Sequence, residues 1–231
     1  MTRKYFKHYD LILALFVVAL LISNLAATKL ITTGSLILDG GAILFPLTYI
    51  LGDILTEVYG YRYARRAIWA GFVGMVLAIV TLTVVRFLPY PPEYTSQAAF
   101  DAVLGFLPRI AFASLVAYLI GEFVNSYLLV KIKIATKGKK LWLRLVGSTV
   151  VGELLDTIVF CLIAFGGILT GLDMLNYILV GWLFKVGVEV LMLPVTYRVI
   201  DALKKSERSD SNDAISDLTP FSVSLSDRKS T

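Results

Sequence analysis

Long apolar runs, broken by short basic or Pro/Gly-containing stretches, repeat along almost the whole of this chain. Crossing about 30 Å of hydrocarbon takes about 20 apolar residues at a helical rise of 1.5 Å each. Six segments fit that ruler: 11–30, 37–60, 67–88, 108–130, 145–169 and 175–200. The pattern predicts an all-α integral membrane protein with six transmembrane helices in a domain over residues 1–200. The first run follows Arg3, Lys4 and Lys7 and reaches Leu25, Ala26 and Ala27, which is how a signal peptide begins; five further spans argue against cleavage. Pro46 and Pro194 fall inside the second and sixth segments, where each removes a backbone hydrogen bond and predicts a bend or opening. Between the third and fourth, Pro89, Pro91 and Pro92 precede a mixed stretch over 96–106, read as a turn and a short helix on the membrane surface. Residues 201–231 hold eight serines and little helical periodicity, which predicts a Ser/Asp-rich disordered cytoplasmic tail.

Lysine and arginine orient the spans. Eighteen of these residues fall before the first span, between the second and third, between the fourth and fifth, or after the sixth; Lys29, Arg86 and Arg109 fall on the other side, and Lys185 lies within a span. Both termini are therefore expected in the cytoplasm. The composition agrees, with 57% hydrophobic residues, 17% charged and a mean hydropathy of +0.76, far outside that of an ordinary soluble enzyme. A net charge of +5 would suit nucleic acid, but the basic residues flank apolar runs, so lipid is the expected partner and no nucleic acid is. Cys161 has no second cysteine to pair with, and His8 is the only histidine, so a disulfide, a histidine metal site and a Ser/His triad all lack material. No metal or other cofactor is expected.

Seven ionisable residues lie within the spans: Asp53, Glu57, Glu122, Glu153, Asp156, Lys185 and Glu189. Each costs about 2.5 to more than 10 kcal/mol near the bilayer centre and so requires a reason. Asp53 and Glu57, Glu153 and Asp156, and Lys185 and Glu189 are three or four apart, so each pair shares a helix face. Such stripes must converge on a wet, protein-lined chamber rather than face lipid. Lys185 and Glu189 also read as a self-neutralising structural pair. One lysine cannot offset the other acids, which must be protonated, hydrated or awaiting a cation. Glu57 lies near the cytoplasmic end, within reach of Arg62 or headgroups. Asn24 and Asn125 add neutral groups at similar depth, and taken singly each reads as glue between helices.

A glycine precedes an acid in Gly52-Asp53, Gly121-Glu122 and Gly152-Glu153, so a neighbour can approach closely at each. Similar short stretches in the second and fifth spans suggest two inverted three-helix halves with a site at their interface. The Gly138-Lys139 pair lacks the upstream glycine of a phosphate loop, so ATP-driven transport would need partner subunits. Two alternatives stay open beside secondary or facilitated transport: a substrate-capturing subunit of an ATP-driven vitamin importer, and an intramembrane enzyme, for which the basic loops are a poor magnesium–diphosphate site.

The stretch FPLTYILGDILTEVYGYRYARR (45–66) resembles the signature of the queuosine precursor transporter family, also called the vitamin uptake transporter family. GELLDTIVFCLIAF (152–165), Phe184-Lys185 and Pro194 are similar to it as well, and the resemblance covers about 11–200. It implies a multi-pass inner-membrane importer, not an enzyme, of 7-deazaguanine compounds such as preQ0, preQ1 or queuine, with self-association into a homodimer left open. The chemistry suits such cargo: a guanine-like edge offers two parallel N–H donors to one carboxylate, and an aminomethyl group offers an ammonium to a second. The expected substrate-binding residues are Asp53, Glu122, Asn125, Glu153, Asp156, Lys185, Glu189 and Asn24, with Phe45, Tyr49 and Trp182 as aromatic faces for a planar base.

Overall fold

A computed structural model describes residues 6–33, 36–104, 107–167 and 171–207. The chain runs α1 (Tyr9–Ala26), β1 (Leu30–Thr33), β2 (Leu36–Asp39), a 3-10 turn (Gly40–Ile43), α2 (Phe45–Ile54), a π turn (Leu55–Tyr59), α3 (Tyr61–Phe87), α4 (Gln97–Leu104), α5 (Leu107–Ala135), α6 (Leu141–Phe165) and α7 (Gly171–Glu207). The strands form one antiparallel hairpin, with Leu30 opposite Asp39 and Thr33 opposite Leu36. The other elements among the described residues are helical.

Among the described residues, five helices (α1, α3, α5, α6 and α7) are long and apolar enough to cross a membrane. Leu77, Phe87, Leu172 and Leu191 on these helices are each about two-thirds exposed or more, a surface that lipid solvates and water does not. The protein is an all-α, multi-pass membrane protein with a small extended hairpin.

The second expected segment takes a different form. Its apolar run is divided among β2, the 3-10 turn, ten α-helical residues and five in the π turn. The continuous helical part is about 22 Å long, short of a full crossing. Hydropathy counts apolar residues but does not register Gly40, Gly41 and Pro46, which delay helix formation. Pro46 sits in the first turn of α2, where its missing N–H costs nothing, so it starts this helix rather than bending it. Gly60, at φ 88°, turns the chain sharply from the π turn into α3, a conformation open to glycine at little cost. Pro194 does lie inside α7, and the helix continues through it to Glu207. The remainder of the expected tail, 208–231, lies outside the described residues. A short helix, α4, forms within the stretch after the prolines.

Contacts at the helix ends show that α1, α2, α3, α5, α6 and α7 run in alternating directions. At one end, the backbone N–H groups of Lys7 and His8 donate to the Glu207 carboxylate at 2.9 and 2.7 Å, so the end of α7 caps the start of α1. Tyr9 meets Tyr59 and Tyr63 edge-on beside them. At the other end, Arg109 at the start of α5 donates to the carbonyls of Ile163 and Gly166 that close α6, at 2.7 and 2.6 Å. Arg86 at the end of α3 holds Asp101 of α4 at 2.9 Å. Apolar side chains such as Phe16, Leu20, Leu55 and Ile68 fill the space between α1, α2 and α3.

Candidate functional site

The buried polar residues gather where α2, α5, α6 and α7 face each other. Glu122 is about 20 Å from either end of α5, Glu153 about 18 Å from either end of α6, and Glu189 midway along α7. Asp53, Glu122, Asn125, Glu153 and Glu189 are all at most 3% exposed, and Asp156 is nearly so.

Glycines make this meeting possible. A Cβ on Gly152 would lie 2.8 Å from Asn125 Cβ and 3.1 Å from the Gly121 carbonyl oxygen. One on Gly121 would lie 2.8 Å from Asp156 Cβ and 2.5 Å from the Tyr49 hydroxyl. Backbones of α5 and α6 therefore touch along the small residues, as helices do in lipid, and the acid following each glycine is carried into the interior. Gly52 does the same for α2: its Cβ would meet the Glu122 carboxylate at 2.7 Å.

Within the cluster, Asn125 Nδ2 donates to Asp53 Oδ1 at 2.7 Å, linking α5 to α2. Lys185 donates to Asp156 Oδ2 at 2.8 Å, lies 3.0 Å from Glu153 Oε2, and sits 5.1 Å from the centre of the Phe45 ring. The approach to Glu153 is an ion pair without the alignment of a hydrogen bond. Glu189 instead accepts from Thr149 of α6 at 2.7 Å. Lys185 and Glu189 therefore turn to different partners, and the self-neutralising pair allowed by their spacing does not form. Several buried atoms have no hydrogen-bond partner among the described residues: both oxygens of Glu122, Glu189 Oε2, Asn125 Oδ1 and the Tyr49 hydroxyl.

Nine of the eleven expected residues are thus brought together: Asp53, Glu122, Asn125, Glu153, Asp156, Lys185, Glu189, Phe45 and Tyr49. Trp182 borders the group with its indole N–H on the Val150 carbonyl at 2.9 Å, a bond that fastens α7 to α6. Asn24 lies apart. Its amide donates to the Leu20 carbonyl of its own helix at 2.9 Å, beside a cleft of about 240 Å³ lined largely by apolar residues of α1 and α3.

Glu57 belongs to a second constellation. It is fully buried, receives Arg144 through Nε and Nη2 at 2.8 Å each, and pairs with Lys204 at 2.5 Å and Lys133 at 3.6 Å. That anion ties the π turn to α5, α6 and α7 at the end where the chain's basic stretches lie. Arg144 and Lys204 are 87 and 147 residues from Glu57, so no spacing along a single helix signals either pairing. The Thr149 contact does have such a signal, since Thr149 stands four residues before Glu153 on the same face of α6.

A family model described as "Putative vitamin uptake transporter" matches residues 39–199, most of the chain. The "Probable queuosine precursor transporter" of Bacillus subtilis (strain 168) is 33% identical over 189 residues, covering 81% of this chain and 82% of that protein. The "Queuosine precursor transporter" of Escherichia coli (strain K12) is 30% identical over 125 residues, 54% of each chain. A "Probable queuosine precursor transporter" of Haemophilus influenzae is 27% identical over 125 residues, 54% of this chain and 51% of that one. No solved structure matches. The match to 39–199 takes in α2, α5, α6 and nearly all the buried carboxylates, so the chain belongs to the queuosine precursor transporter (vitamin uptake transporter) family, and is a transporter rather than an enzyme.

Proposed function

We propose that this protein imports queuosine precursors, 7-deazaguanine compounds of the preQ0, preQ1 or queuine type, across the cell's inner membrane by secondary or facilitated transport. One observation carries the reading: carboxylates from four helices converge in the middle of the bundle, several with acceptor oxygens that no described residue fills. Burying such groups costs several kcal/mol each unless a donor arrives. A guanine-like cargo brings donors in its N1–H and exocyclic amine, and an aminomethyl group brings a cation. The two relatives that the chain matches at 30% identity or more carry names of the same activity.

The alternating helix directions favour six crossings, the second completed by the 3-10 turn and hairpin ahead of α2. The end holding Arg144, Lys133 and Lys204 faces the cytoplasm in this reading, as the distribution of basic residues requires. Cargo then binds near the bilayer midplane, between the parts of the bundle that hold α2 and α6.

Cells unable to synthesise the precursor provide the test. They should regain queuosine-modified tRNA only when this chain is expressed and precursor is supplied. Asp53→Asn and Glu153→Gln should each abolish that recovery while leaving membrane insertion intact. Full recovery with both variants would remove the carboxylate cluster from the transport path.

A further inference from the structure

We propose that Glu122 is the residue that reads the guanine-like edge of the cargo, with both its oxygens accepting the ring N–H and the exocyclic amine together. The inference rests on the reading above and assigns that site's specificity to one side chain.

Each of the other buried carboxylates already has a partner on at least one oxygen: Asp53 has Asn125, Glu57 has Arg144, Glu153 and Asp156 have Lys185, Glu189 has Thr149, and Glu207 has the backbone of Lys7 and His8. Glu122 is fully buried, and neither of its oxygens has a hydrogen-bond partner among the described residues. It lies against Gly52, where α2 presents backbone and no side chain: a Cβ there would come within 2.7 Å of Glu122 Oε2. Two acceptors at a fixed spacing in one plane match two parallel donors, and no neutral side chain offers that pair. Tyr49 stands one turn before Gly52 on α2; its hydroxyl is likewise buried and without a partner, and so supplies a donor for the ring carbonyl that adjoins the N–H. The groups facing Glu122 from the neighbouring helices are Tyr49 and Asp53 of α2, Glu153 and Asp156 of α6, and Glu189 of α7. Lys185 of α7 is committed to Glu153 and Asp156.

The consequence is selectivity for the exocyclic amine. Removing that amine from the cargo leaves one carboxylate oxygen unfilled, and a hydrogen bond to a charged group changes affinity by about ten- to hundredfold. In Glu122→Gln, the amide has one acceptor and one donor, so the preference should collapse, because the variant no longer offers two acceptors.

The test is equilibrium binding of 7-aminomethyl-7-deazaguanine and of its analogue lacking the 2-amino group, to the detergent-purified full chain and to Glu122→Gln. The wild type should bind the amino compound at least about tenfold more tightly, and the variant should bind the two within about threefold of each other. Equal wild-type affinities, or an unchanged preference in the variant, would overturn the assignment to Glu122. Failure of the wild type to bind either compound would instead overturn the transport reading on which it rests. Should Glu122→Gln not fold, the wild-type comparison and Glu153→Gln decide: an amine preference present in the wild type and kept in Glu153→Gln supports Glu122, and its loss in Glu153→Gln refutes it.

Discussion

Replacing Arg144 with methionine tests the clamp that closes one end of the bundle. The guanidinium makes two 2.8 Å bonds to Glu57 and two more to the carbonyls of Gly138 and Lys139, at 2.9 and 3.2 Å. Both charged side chains are almost wholly buried, at 4% and 0% exposure. Breaking a buried pair from one side costs about 3–5 kcal/mol, because the remaining charge stays in a low-dielectric site. Lys204 and Lys133 still face Glu57, so the lower end of that range applies, about 3 kcal/mol. At roughly 2–4 °C per kcal/mol for a chain of this size, Arg144→Met should melt about 6–12 °C lower. Glu57→Gln should cost more than Arg144→Met, because it withdraws the shared anion from Arg144, Lys204 and Lys133 together. The double variant should be less damaging than the sum of the singles, with a coupling of about 1–3 kcal/mol. Thermal unfolding of the purified protein, followed by intrinsic tryptophan fluorescence, reads all three. An Arg144→Met melting point within about 2 °C of the wild type, or strict additivity in the double variant, would refute the reasoning.

Two further predictions concern helix packing and the Arg86–Asp101 contact. Gly152→Ala should destabilise by about 1–3 kcal/mol, since its Cβ would meet Asn125 Cβ at 2.8 Å and the Gly121 carbonyl at 3.1 Å, whereas Gly187→Ala, with nothing within 4 Å, should be neutral or slightly stabilising; matching melting points for the two variants would contradict the close α5–α6 crossing. Hydrogen bonds from Arg86 and Gln97 hold Asp101 below the usual carboxylate range. Its contribution is therefore present at neutral pH, begins to fade below about pH 4 and is gone once the pH has passed the lowered value. Hydrogen-exchange protection of α4 should accordingly be higher in the wild type than in Asp101→Asn at pH 7, with the gap closing in acid; an equal gap at both pH values would show that the pair does not hold α4.

The long helices were legible because lipid imposes one rule, a sustained apolar run, and α1, α3, α5, α6 and α7 obey it. The second segment obeyed it in composition only, and Gly40, Gly41 and Pro46 decided its backbone. The convergence of Asp53, Glu122, Glu153 and Asp156 was legible from cost: charges in lipid have to meet. Which partner each would choose was not. Lys185 has Glu189 four residues away on its own helix, yet reaches Asp156 and Glu153 across an interface that intrahelical spacing does not describe. Arg144 and Lys204 were visible only as members of basic stretches that orient the chain, and their pairing with Glu57 depends on the packing of α6 and α7 against the π turn. Asn24 matched the carboxylates in depth but sits in a different part of the bundle, since depth along a helix says nothing about which neighbour it faces.

Direct binding is the measurement closest to the central claim. Tritiated 7-aminomethyl-7-deazaguanine should bind the detergent-purified chain saturably, and Asp53→Asn and Glu153→Gln, each still folded by its melting curve, should lose about tenfold or more in affinity. Wild-type affinity in both folded variants would contradict a cargo site built from the carboxylates of α2 and α6.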